Sequence, residues 1–558
     1  MSGSRVSRRH FFYGTLLAGA VPAGGFGSAP SLAMAGYKSL NQKLNIAAIG
    51  CGIRATQILP MAAASENIVA VCDVNDVSAA PVYNTFPKAT KYKDYRKMLD
   101  AEKTVDAVMI AVPDHLHTHT ALLAMQMGKH VYCEKPLTRT PWESQLLAEA
   151  AVKYKVATQM GNQGWNHEGT KTACEIVWSG DIGDVTEVHA FTGAIYGGYP
   201  NIPDTGPEKM DIPSTMDWNL WLGPAADHDY NAIVASRWRA FIDFSTGGSL
   251  GDWLVHNMGP AHLALQLDKA PLTSVQALSV ERPSKILWPF ADHIIYEFPA
   301  RPNMPPVTIH AYQNMRGDFK NPPGMAENDR LFPGSNNLQA EKNRPFLQTG
   351  DGLMLVGPQI GPDGKQIQGA GRGGGGGGRG QFPGGAGRGP GAPGAAGAPG
   401  GAFPGAPGGA APGGAAGRGP GGAGRGGPGG ADAANRAPGN GAVFVGTKGY
   451  MATVARGEGV WLLPKSRWDD YRLPPQVLQR GINHQQDWIR ACKGGAPGVS
   501  DFAVATKYIE WLALGTIATR VPNVKLMWDA KNWRFTNSEE ANKLLHPFLR
   551  KGWEISKV

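Results

Sequence analysis

Residues 44–55 read LNIAAIGCGIRA, and this stretch decides the fold of the chain. The apolar run at 46–49 is typical of a strand that is buried on both faces of a sheet. The GCGIRA turn that follows fits the pattern G-x-G-x-x-G/A. In that pattern Gly50 permits a tight turn, Gly52 lets the backbone approach a pyrophosphate, and Ala55 lets the next helix pack closely. The stretch therefore predicts a dinucleotide-binding βαβ unit.

Three further residues bear on the dinucleotide. Ile53 and Arg54 open the predicted helix, where we expect them beside the phosphates. Asp73 ends the second apolar run, ~20 residues after the glycine turn. A carboxylate at that position accepts hydrogen bonds from the ribose hydroxyls and repels a 2′-phosphate. The sequence therefore favours NAD over NADP as the cofactor.

Apolar periodicity predicts two domains. Between 44 and 160, short apolar runs alternate with helix-like segments, which predicts right-handed βαβ units and an α/β Rossmann domain with a parallel sheet. In 161–368 and 442–545, the pattern changes and predicts an α+β domain with an open, mainly antiparallel sheet. The strand-like runs of this second domain lie at 185–192, 274–278, 291–297, 307–312 and 443–454.

A tract of unusual composition interrupts the second domain. Residues 369–441 consist almost entirely of Gly, Ala, Pro and Arg, so they cannot bury enough apolar surface to fold, and we expect a disordered insertion. The tract holds six arginines against one aspartate, and with the arginines near the N-terminus it supplies most of the net charge of +9. The rest of the chain is close to neutral, so no nucleic-acid partner is predicted.

The N-terminus predicts export. Residues 7–12 read SRRHFF, a twin-arginine signal, and an apolar run leads to the small residues AMA at 33–35. A signal peptide at 1–35 implies that the twin-arginine translocase carries the folded protein to the periplasm or the exterior. The sequence has no run of ~20 apolar residues, so no stable membrane anchor is expected. Because free NAD is scarce outside the cytoplasm, we expect the cofactor to be tightly bound.

Residues 112–136 read VPDHLHTHTALLAMQMGKHVYCEKP and strongly resemble the glucose–fructose oxidoreductase/inositol dehydrogenase (Gfo/Idh/MocA) family. The shared elements are a Pro-x-His-x-His loop at 113–117, Gly-Lys-His at 128–130 and Glu-Lys-Pro at 134–136. The resemblance extends over the whole predicted folded part, at about 44–350 and 442–540.

The resemblance implies roles for residues around the cofactor. In the family, the Glu-Lys-Pro element lies under the nicotinamide, so we expect Glu134 beside the cofactor and Lys135 as a catalytic residue on the reacting hydroxyl. Pro113, His117 and Asn162 are also expected beside the cofactor. The histidines of this loop hold no metal in the family, and the five cysteines show no ligand spacing, so no metal site is predicted.

A second motif, GSLGDWLVH at 248–256, supplies the predicted proton chemistry. Asp252 and His256 are four residues apart, so on a helix they share a face. The family has this Asp-x-x-x-His spacing, which implies that His256 is the proton acceptor. Asp252 is then expected either to bind a substrate hydroxyl or to orient the imidazole. An imidazole suits proton transfer because its ordinary pKa lies near neutrality.

Four more side chains are predicted to bind the substrate. Arg237 and Arg239 offer cations to substrate oxygens, while Trp165 and Tyr196 offer rings that stack on sugar faces. The family often places basic residues after the last Rossmann strand, where this chain has GNQGWNH at 161–167. The particular carbohydrate therefore stays open.

The resemblance implies an exported NAD(P)-dependent oxidoreductase that moves a hydride between a sugar or polyol carbon and its cofactor. One alternative is an NAD-dependent glycoside hydrolase or lyase that oxidises the sugar transiently and eliminates a leaving group. The run HNMGP at 256–260 partly matches the His-Gly-Leu-Gly-Pro of such enzymes. A second alternative is a non-catalytic carbohydrate-binding protein. The open sheet of the family further implies a homo-oligomer, either a dimer or a tetramer.

Overall fold

The computed structural model describes residues 42–336, 338–342, 348–350, 353–356, 437–480 and 482–555. The predicted signal peptide at 1–35 lies outside the described residues, and so does the predicted insertion at 369–441 up to residue 436. Within the described ranges, no helix combines the length and the apolar character that a membrane crossing requires.

A parallel sheet forms the N-terminal half. Its strands are β1 Asn45–Ile49, β2 Asn67–Cys72, β3 Thr90–Tyr92, β4 Ala107–Ile110, β5 His130–Glu134 and β6 Thr158–Gly161. Its helices are α1 Ile53–Ala63, α2 Asp76–Thr85, α3 Tyr95–Ala101, α4 Asp114–Gln126 and α5 Pro141–Tyr154. The strand order is β3-β2-β1-β4-β5-β6, and every pair is parallel. Ala47 and Ile49 enter one core, whereas Ile46 and Ala48 enter another, so the predicted two-sided burial of the Rossmann sheet is confirmed.

The glycine turn joins β1 to α1. Gly50 has a φ of +85°, and a Cβ atom on it would lie 2.5 Å from the carbonyl oxygen of Ala111. Both features exclude a side chain, because other residues rarely adopt that φ and the neighbouring backbone leaves no room. Gly52 is the residue directly before α1, and no atom lies within 4 Å of the place its Cβ would take. The first turn of α1 therefore opens onto space.

A second, larger sheet forms the C-terminal half. Its strands are β7 Val185–Thr192, β8 Ser274–Glu281, β9 Ala291–Phe298, β10 Val307–Gln313, β13 Gly441–Gly446, β14 Gly449–Val454, β15 Val460–Leu463, β16 Leu526–Asp529 and β17 Arg534–Phe535; β11 Gln348–Gly350 and β12 Leu353–Val356 pair separately. The order is β15-β14-β13-β7-β10-β9-β8-β16-β17. Only the β7–β10 pair of this sheet is parallel. The predicted open, mainly antiparallel sheet is confirmed.

Helices connect the two sheets. The remaining ones are α6 Glu168–Ser179, α7 Trp218–Leu222, α8 Ala232–Ser236, α9 Val255–Asn257, α10 Gly259–Ala264, α11 Leu338–Lys342, α12 Lys465–Asp469, α13 His484–Cys492, α14 Phe502–Arg520 and α15 Glu539–Asn542. A π-helix, Leu250–Leu254, leads directly into α9. Helix α14 packs against α5 of the Rossmann domain and against β8 and β9 of the second sheet, so it holds the two domains together.

Three predicted boundaries are wrong. Helix α4 begins at Asp114, so most of the predicted loop 113–117 is its first turn, because Pro113 is the extended residue that starts the helix. The apolar run at 156–159 predicts a strand, but β6 begins only at Thr158, because Lys155 at the end of α5 is in the left-handed conformation and delays it. The run 443–454, predicted as one strand, is the hairpin of β13 and β14.

Candidate active site

A cleft of ≈ 940 Å³ opens beside the carboxyl ends of the parallel strands. Both domains contribute to its lining, which includes Gly50, Gly52, Ile53, Arg54, Asp73, Pro113, Asp114, Glu134, Lys135, Gln163, Arg239, Asp252, Trp253, His256 and Arg456. We call the part around the glycine turn and Asp73 the dinucleotide end. The part around Lys135, Arg239, Asp252 and His256 is the reacting end. Most of the predicted site residues therefore meet in one cleft.

The dinucleotide end combines an open helix N-terminus with a carboxylate. Gly52 caps the N-terminus of helix α1, and Gly52, Ile53 and Arg54 all line the cleft. The free backbone N–H groups at such a helix N-terminus attract phosphate. Asp73 accepts hydrogen bonds from the backbone N–H groups of Cys51 at 2.7 Å and Asn75 at 2.8 Å. Burial raises the pKa of Asp73, although these two bonds oppose the rise. The turn and the carboxylate beside it fit the pyrophosphate and the ribose of a dinucleotide.

Glu134 and Arg54 form a pair in the cleft wall. Nε of Arg54 lies 2.9 Å from Oε1 of Glu134, which also accepts a hydrogen bond from Nε2 of Gln163 at 3.0 Å. Glu134 is thereby engaged with residues of the cleft wall, while the neighbouring Lys135 reaches towards the second domain. The pair places a guanidinium between the dinucleotide end and the reacting end.

Asp252 holds two cations at the reacting end. Its Oδ1 accepts hydrogen bonds from Nζ of Lys135 at 2.7 Å and from Nε of Arg239 at 2.8 Å. Nζ of Lys135 also donates to the backbone carbonyl of Asp252 at 2.9 Å. Burial alone would raise the pKa of Asp252, but the charges of Lys135 and Arg239 outweigh it and hold that pKa well below its usual range. Tyr196 hydrogen-bonds the same carboxylate.

His256 is oriented by Asn162. Nδ1 of His256 lies 2.7 Å from Oδ1 of Asn162, whose Nδ2 donates to a backbone carbonyl at 3.1 Å. This amide orientation puts the imidazole proton on Nδ1 and leaves the lone pair on Nε2. Burial, together with the charges of Lys135 and Arg456, lowers the pKa of His256 well below its ordinary value. The imidazole is therefore a neutral base. Asn162 orients it, a role that the sequence analysis had offered to Asp252.

Asp114 is a cleft residue that the sequence interpretation missed. It is buried, and its Oδ2 accepts a hydrogen bond from the backbone N–H of Thr246 at 3.1 Å. Burial raises the pKa of Asp114 to about 7, although the charges of Arg239 and Lys135 oppose the rise. The signal was available, because Asp114 lies inside the Pro-x-His-x-His element.

Arg456 is the second missed residue, and it comes from the connection between β14 and β15. Its φ of +60° is rare for a residue with a side chain. His167 Nδ1 bonds the Arg456 carbonyl at 2.9 Å, and the missing side chain of Gly164 makes room for that carbonyl. The guanidinium lies 5.7 Å from the centre of the Trp253 ring. No local sequence pattern marks this residue as a cleft residue.

Two predicted substrate contacts lie outside the cleft lining. Trp165 is only 1% exposed, and its ring packs against Tyr508 in the core, so it cannot stack on a sugar. Arg237 is exposed, with its guanidinium 5.1 Å from the centre of the Tyr199 ring, outside the residues that line the cleft. Apolar packing explains the first outcome, and a local cation–π contact explains the second.

Two predicted cofactor contacts lie behind the cleft wall. His117 is buried, and its ring nitrogens lie 2.7 Å from the carbonyl oxygen of Pro136 and 2.9 Å from that of Val112. Those contacts brace the segments that carry the cleft. Asn162 is fully buried and engaged with His256. Both residues therefore position cleft residues in place of the direct cofactor contact that was expected.

A cluster of metal-binding side chains lies on the second sheet, away from the cleft. Glu187, His189 and His310 offer ligand atoms that all lie within 4.8 Å of one another. The sequence, from which no metal site is predicted, does not reveal this grouping. The reason is that the pairing of β7 with β10 joins residues whose sequence spacing shows no ligand pattern.

Two family models match the chain. Residues 44–162 match the model described as "Oxidoreductase family, NAD-binding Rossmann fold" (GFO_IDH_MocA). Residues 187–286 match the model described as "Oxidoreductase family, C-terminal alpha/beta domain" (GFO_IDH_MocA_C2). The two matches fall on the Rossmann domain and on the part of the second domain that carries Arg239, Asp252 and His256.

Curated relatives cover shorter stretches. Inositol 2-dehydrogenase of Salmonella typhimurium is 32% identical over 124 residues, 22% of this chain and 37% of the relative. Levoglucosan dehydrogenase of Pseudarthrobacter phenanthrenivorans is 34% identical over 119 residues, 20% and 30% of the two chains. Inositol 2-dehydrogenase of Serratia proteamaculans is 30% identical over 203 residues, 34% and 56%. The chain thus spans less than two thirds of the length of each of these relatives.

Among solved structures, an NAD-binding protein from Listeria innocua aligns over 87% of this chain and 97% of its own, with a TM-score of 0.47 and 12% identity. That likeness is too distant to bear on function. The family matches coincide with the two folded domains and with the cleft between them. Over residues 44–162 and 187–286 the chain is similar to the Gfo/Idh/MocA oxidoreductase family.

Proposed function

We propose that this protein is an NAD(P)-dependent oxidoreductase that acts on a CH–OH carbon of a sugar or polyol. The observation that carries the proposal is the position of His256 and Lys135 at one end of a cleft whose other end is the glycine turn. A nicotinamide bound in this cleft would accept the hydride from the substrate carbon. The relatives named for inositol and levoglucosan support a carbohydrate as the substrate class.

The residues of the reacting end have different roles toward the substrate hydroxyl. Nε2 of His256 carries the free lone pair, so it takes the hydroxyl proton when the carbon–hydrogen bond breaks. Lys135 donates a hydrogen bond to the same oxygen and holds it in place, while Asp252 keeps the ammonium fixed. The positive charges near His256 hold it neutral beforehand, so the base is ready at neutral pH.

The dinucleotide end supports NAD over NADP. Asp73 lies beside the glycine turn, where its carboxylate would accept hydrogen bonds from the ribose hydroxyls and repel a 2′-phosphate. Asp73→Ser is expected to lower the preference for NAD in equilibrium binding of the two dinucleotides. An unchanged preference for NAD over NADP would show that Asp73 does not select the cofactor.

Export through the twin-arginine pathway belongs to the same proposal and rests on SRRHFF at 7–12. A protein that works outside the cytoplasm must retain its dinucleotide and regenerate it in place. Replacing Arg8 and Arg9 together by Lys is expected to keep the protein in the cytoplasm, as measured by cell fractionation. An unchanged amount of protein outside the cytoplasm would contradict this part of the proposal.

A homo-oligomer also remains part of the proposal, and sedimentation of the purified protein tests it.

One observation favours a second function, redox-assisted glycoside cleavage. Asp114 is a buried cleft carboxyl whose pKa is raised to about 7, so it still holds a proton near neutral pH. Such a group can protonate a departing alcohol after the sugar has been oxidised. Under this function, Asp114→Asn abolishes aglycone release and spares reduction of the cofactor. Under the oxidoreductase function, wild-type protein releases no aglycone at all.

A single experiment separates the candidates. Protein purified without added cofactor is mixed with free sugars and with aryl glycosides, while nicotinamide absorbance and sugar products are followed. Cofactor reduction that a second carbonyl sugar reverses, without bond cleavage, supports the oxidoreductase. Aglycone release without net cofactor change supports the glycosidase. Carbohydrate binding that leaves the cofactor and the sugar unchanged supports the non-catalytic alternative.

A further inference from the structure

The cluster of Glu187, His189 and His310 lies where strands β7 and β10 run side by side. His189 and His310 are direct register partners in that parallel pair. Their rings stack with centroids 4.5 Å apart and an interplanar angle of 13°. Nε2 of His189 lies 3.1 Å from Oε2 of Glu187. Two imidazoles and a carboxylate are therefore gathered on one face of the sheet.

Each histidine of the cluster has its other ring nitrogen engaged. Nδ1 of His189 lies 3.2 Å from the hydroxyl of Tyr312, and Nδ1 of His310 lies 3.0 Å from Nε2 of His293. Metal-binding histidines are commonly oriented in this way by a partner on the nitrogen that does not bind the metal. The two partners fix the rings and leave Nε2 of His310 and Nε2 of His189 for a shared ligand.

The charge and exposure of the cluster suit a cation. A neutral imidazole offers a lone pair on one ring nitrogen, and Glu187 adds a carboxylate to the two imidazoles. His189 is buried, His310 is half-buried, and the Glu187 side chain is 50% exposed. One side is therefore open to an incoming ion and to the water that completes its coordination.

We propose that Glu187, His189 and His310 bind a Zn²⁺ ion that ties β7 to β10. Two imidazole nitrogens and one carboxylate oxygen are a common zinc donor set. Ligand atoms around a tetrahedral zinc lie roughly 3.3 Å apart, given bonds of about 2.0–2.1 Å. The 3.1 Å between Nε2 of His189 and Oε2 of Glu187 already matches this spacing. The ligand atom of His310 lies no more than 4.8 Å from the other two, so it would have to move closer when zinc binds. The site is separate from the cleft and does not depend on its chemistry.

Titration of the full chain with zinc chloride tests the proposal. The protein is stripped with a chelator, dialysed and freed of any affinity tag, and binding is followed by calorimetry and by metal analysis. One tightly bound Zn²⁺ per chain is expected, with a higher thermal unfolding midpoint in the presence of zinc. All five cysteines are buried, so thiols do not compete in the folded protein. Absence of stoichiometric zinc in the wild-type protein would overturn the proposal.

Variants locate the ion. Glu187→Gln, at an exposed position, and His310→Asn are each expected to weaken zinc binding at least tenfold. His293→Gln, which removes only an orienting partner, is expected to weaken it less than loss of either ligand does. His228→Asn is the matched control, because His228 is a half-buried histidine that pairs with Asp243 and is not one of the three proposed ligands. Equal zinc binding in Glu187→Gln, His310→Asn and His228→Asn would place the ion elsewhere and overturn the proposal.

Discussion

The two ends of the cleft are built from different parts of the polypeptide. At the dinucleotide end, backbone groups provide the binding surface, through a glycine at φ +85° and the first turn of α1. At the reacting end, charged and titratable side chains from both domains provide it. Substitutions at the first end should therefore act through chain geometry and cofactor retention. Substitutions at the second should act through charge and proton transfer, with the fold in place.

Gly50→Ala is expected to have the largest effect. The added Cβ would lie 2.5 Å from the carbonyl oxygen of Ala111, and φ is +85°. We expect loss of bound dinucleotide and a lower thermal midpoint. Gly128→Ala is the matched control, because its φ is +70° but no atom lies within 4 Å of the added Cβ. In the control, the free energy of unfolding should fall by only about 1–2 kcal/mol, which is the cost of placing alanine in a left-handed backbone conformation. Equal behaviour of the two variants would contradict the steric account.

His256→Gln tests the reacting end. The variant lacks the basic Nε2, so kcat should fall by about 10²–10⁴-fold while the amount of bound cofactor stays the same. In the wild type, the lowered pKa of His256 keeps the ring neutral, so protonation of this group should not reduce the rate between about pH 8 and about pH 6. Steady-state kinetics across that range provide the check. A variant that kept the wild-type rate would show that His256 is not the base.

Asp252→Asn should destabilise the fold as well as slow the reaction. The change leaves Lys135 and Arg239 without their shared carboxylate, at a cost of about 3–5 kcal/mol. The pKa of Asp252 is held below its unfolded value of about 3.9, so its stabilisation is present above that pH and is lost as the pH falls below it. Denaturant unfolding should therefore show a gap between wild type and variant that narrows on acidification. A gap that widens would contradict the charge assignment.

Arg456→Gln is expected to have the smallest effect. Its guanidinium lines the cleft against the ring of Trp253, so KM for the sugar should rise severalfold, equivalent to about 1 kcal/mol, with little change in kcat. Arg237→Gln is the matched control, because that arginine also lies over an aromatic ring but outside the cleft lining. If the control raised KM as much as Arg456→Gln, substrate binding would extend beyond the cleft described above.

The Rossmann domain could be predicted in detail because its determinants are local. A short apolar strand, a glycine turn and an acidic residue lie within one stretch, and each has a backbone reason to be there. Short motifs also singled out Lys135, Asp252 and His256, and all three line the cleft. The structure adds the distances, and it shows that Asp252 binds Lys135 and Arg239 while Asn162 orients His256.

The second domain was predicted in outline only, because its contacts join residues that are far apart in the sequence. Arg456 reaches the cleft from a strand connection, and His189 meets His310 through strand pairing. Neither contact leaves a spacing pattern. Trp165 was predicted to stack on a sugar because it is an aromatic residue close to the site in sequence. Its burial in the core, which the sequence does not show, excludes that contact. Burial and cross-strand register are properties of the folded chain.

The central claim is that one cleft holds a nicotinamide and a carbohydrate hydroxyl together, with His256 as the base. Its most direct test is a single-turnover measurement on protein purified without added cofactor, in which a sugar panel is added and nicotinamide absorbance is followed. The account predicts cofactor reduction in the wild type, and in His256→Gln the same bound cofactor with reduction slowed by at least 100-fold. Wild-type protein without affinity for either dinucleotide, or equal reduction rates in both proteins, would contradict it.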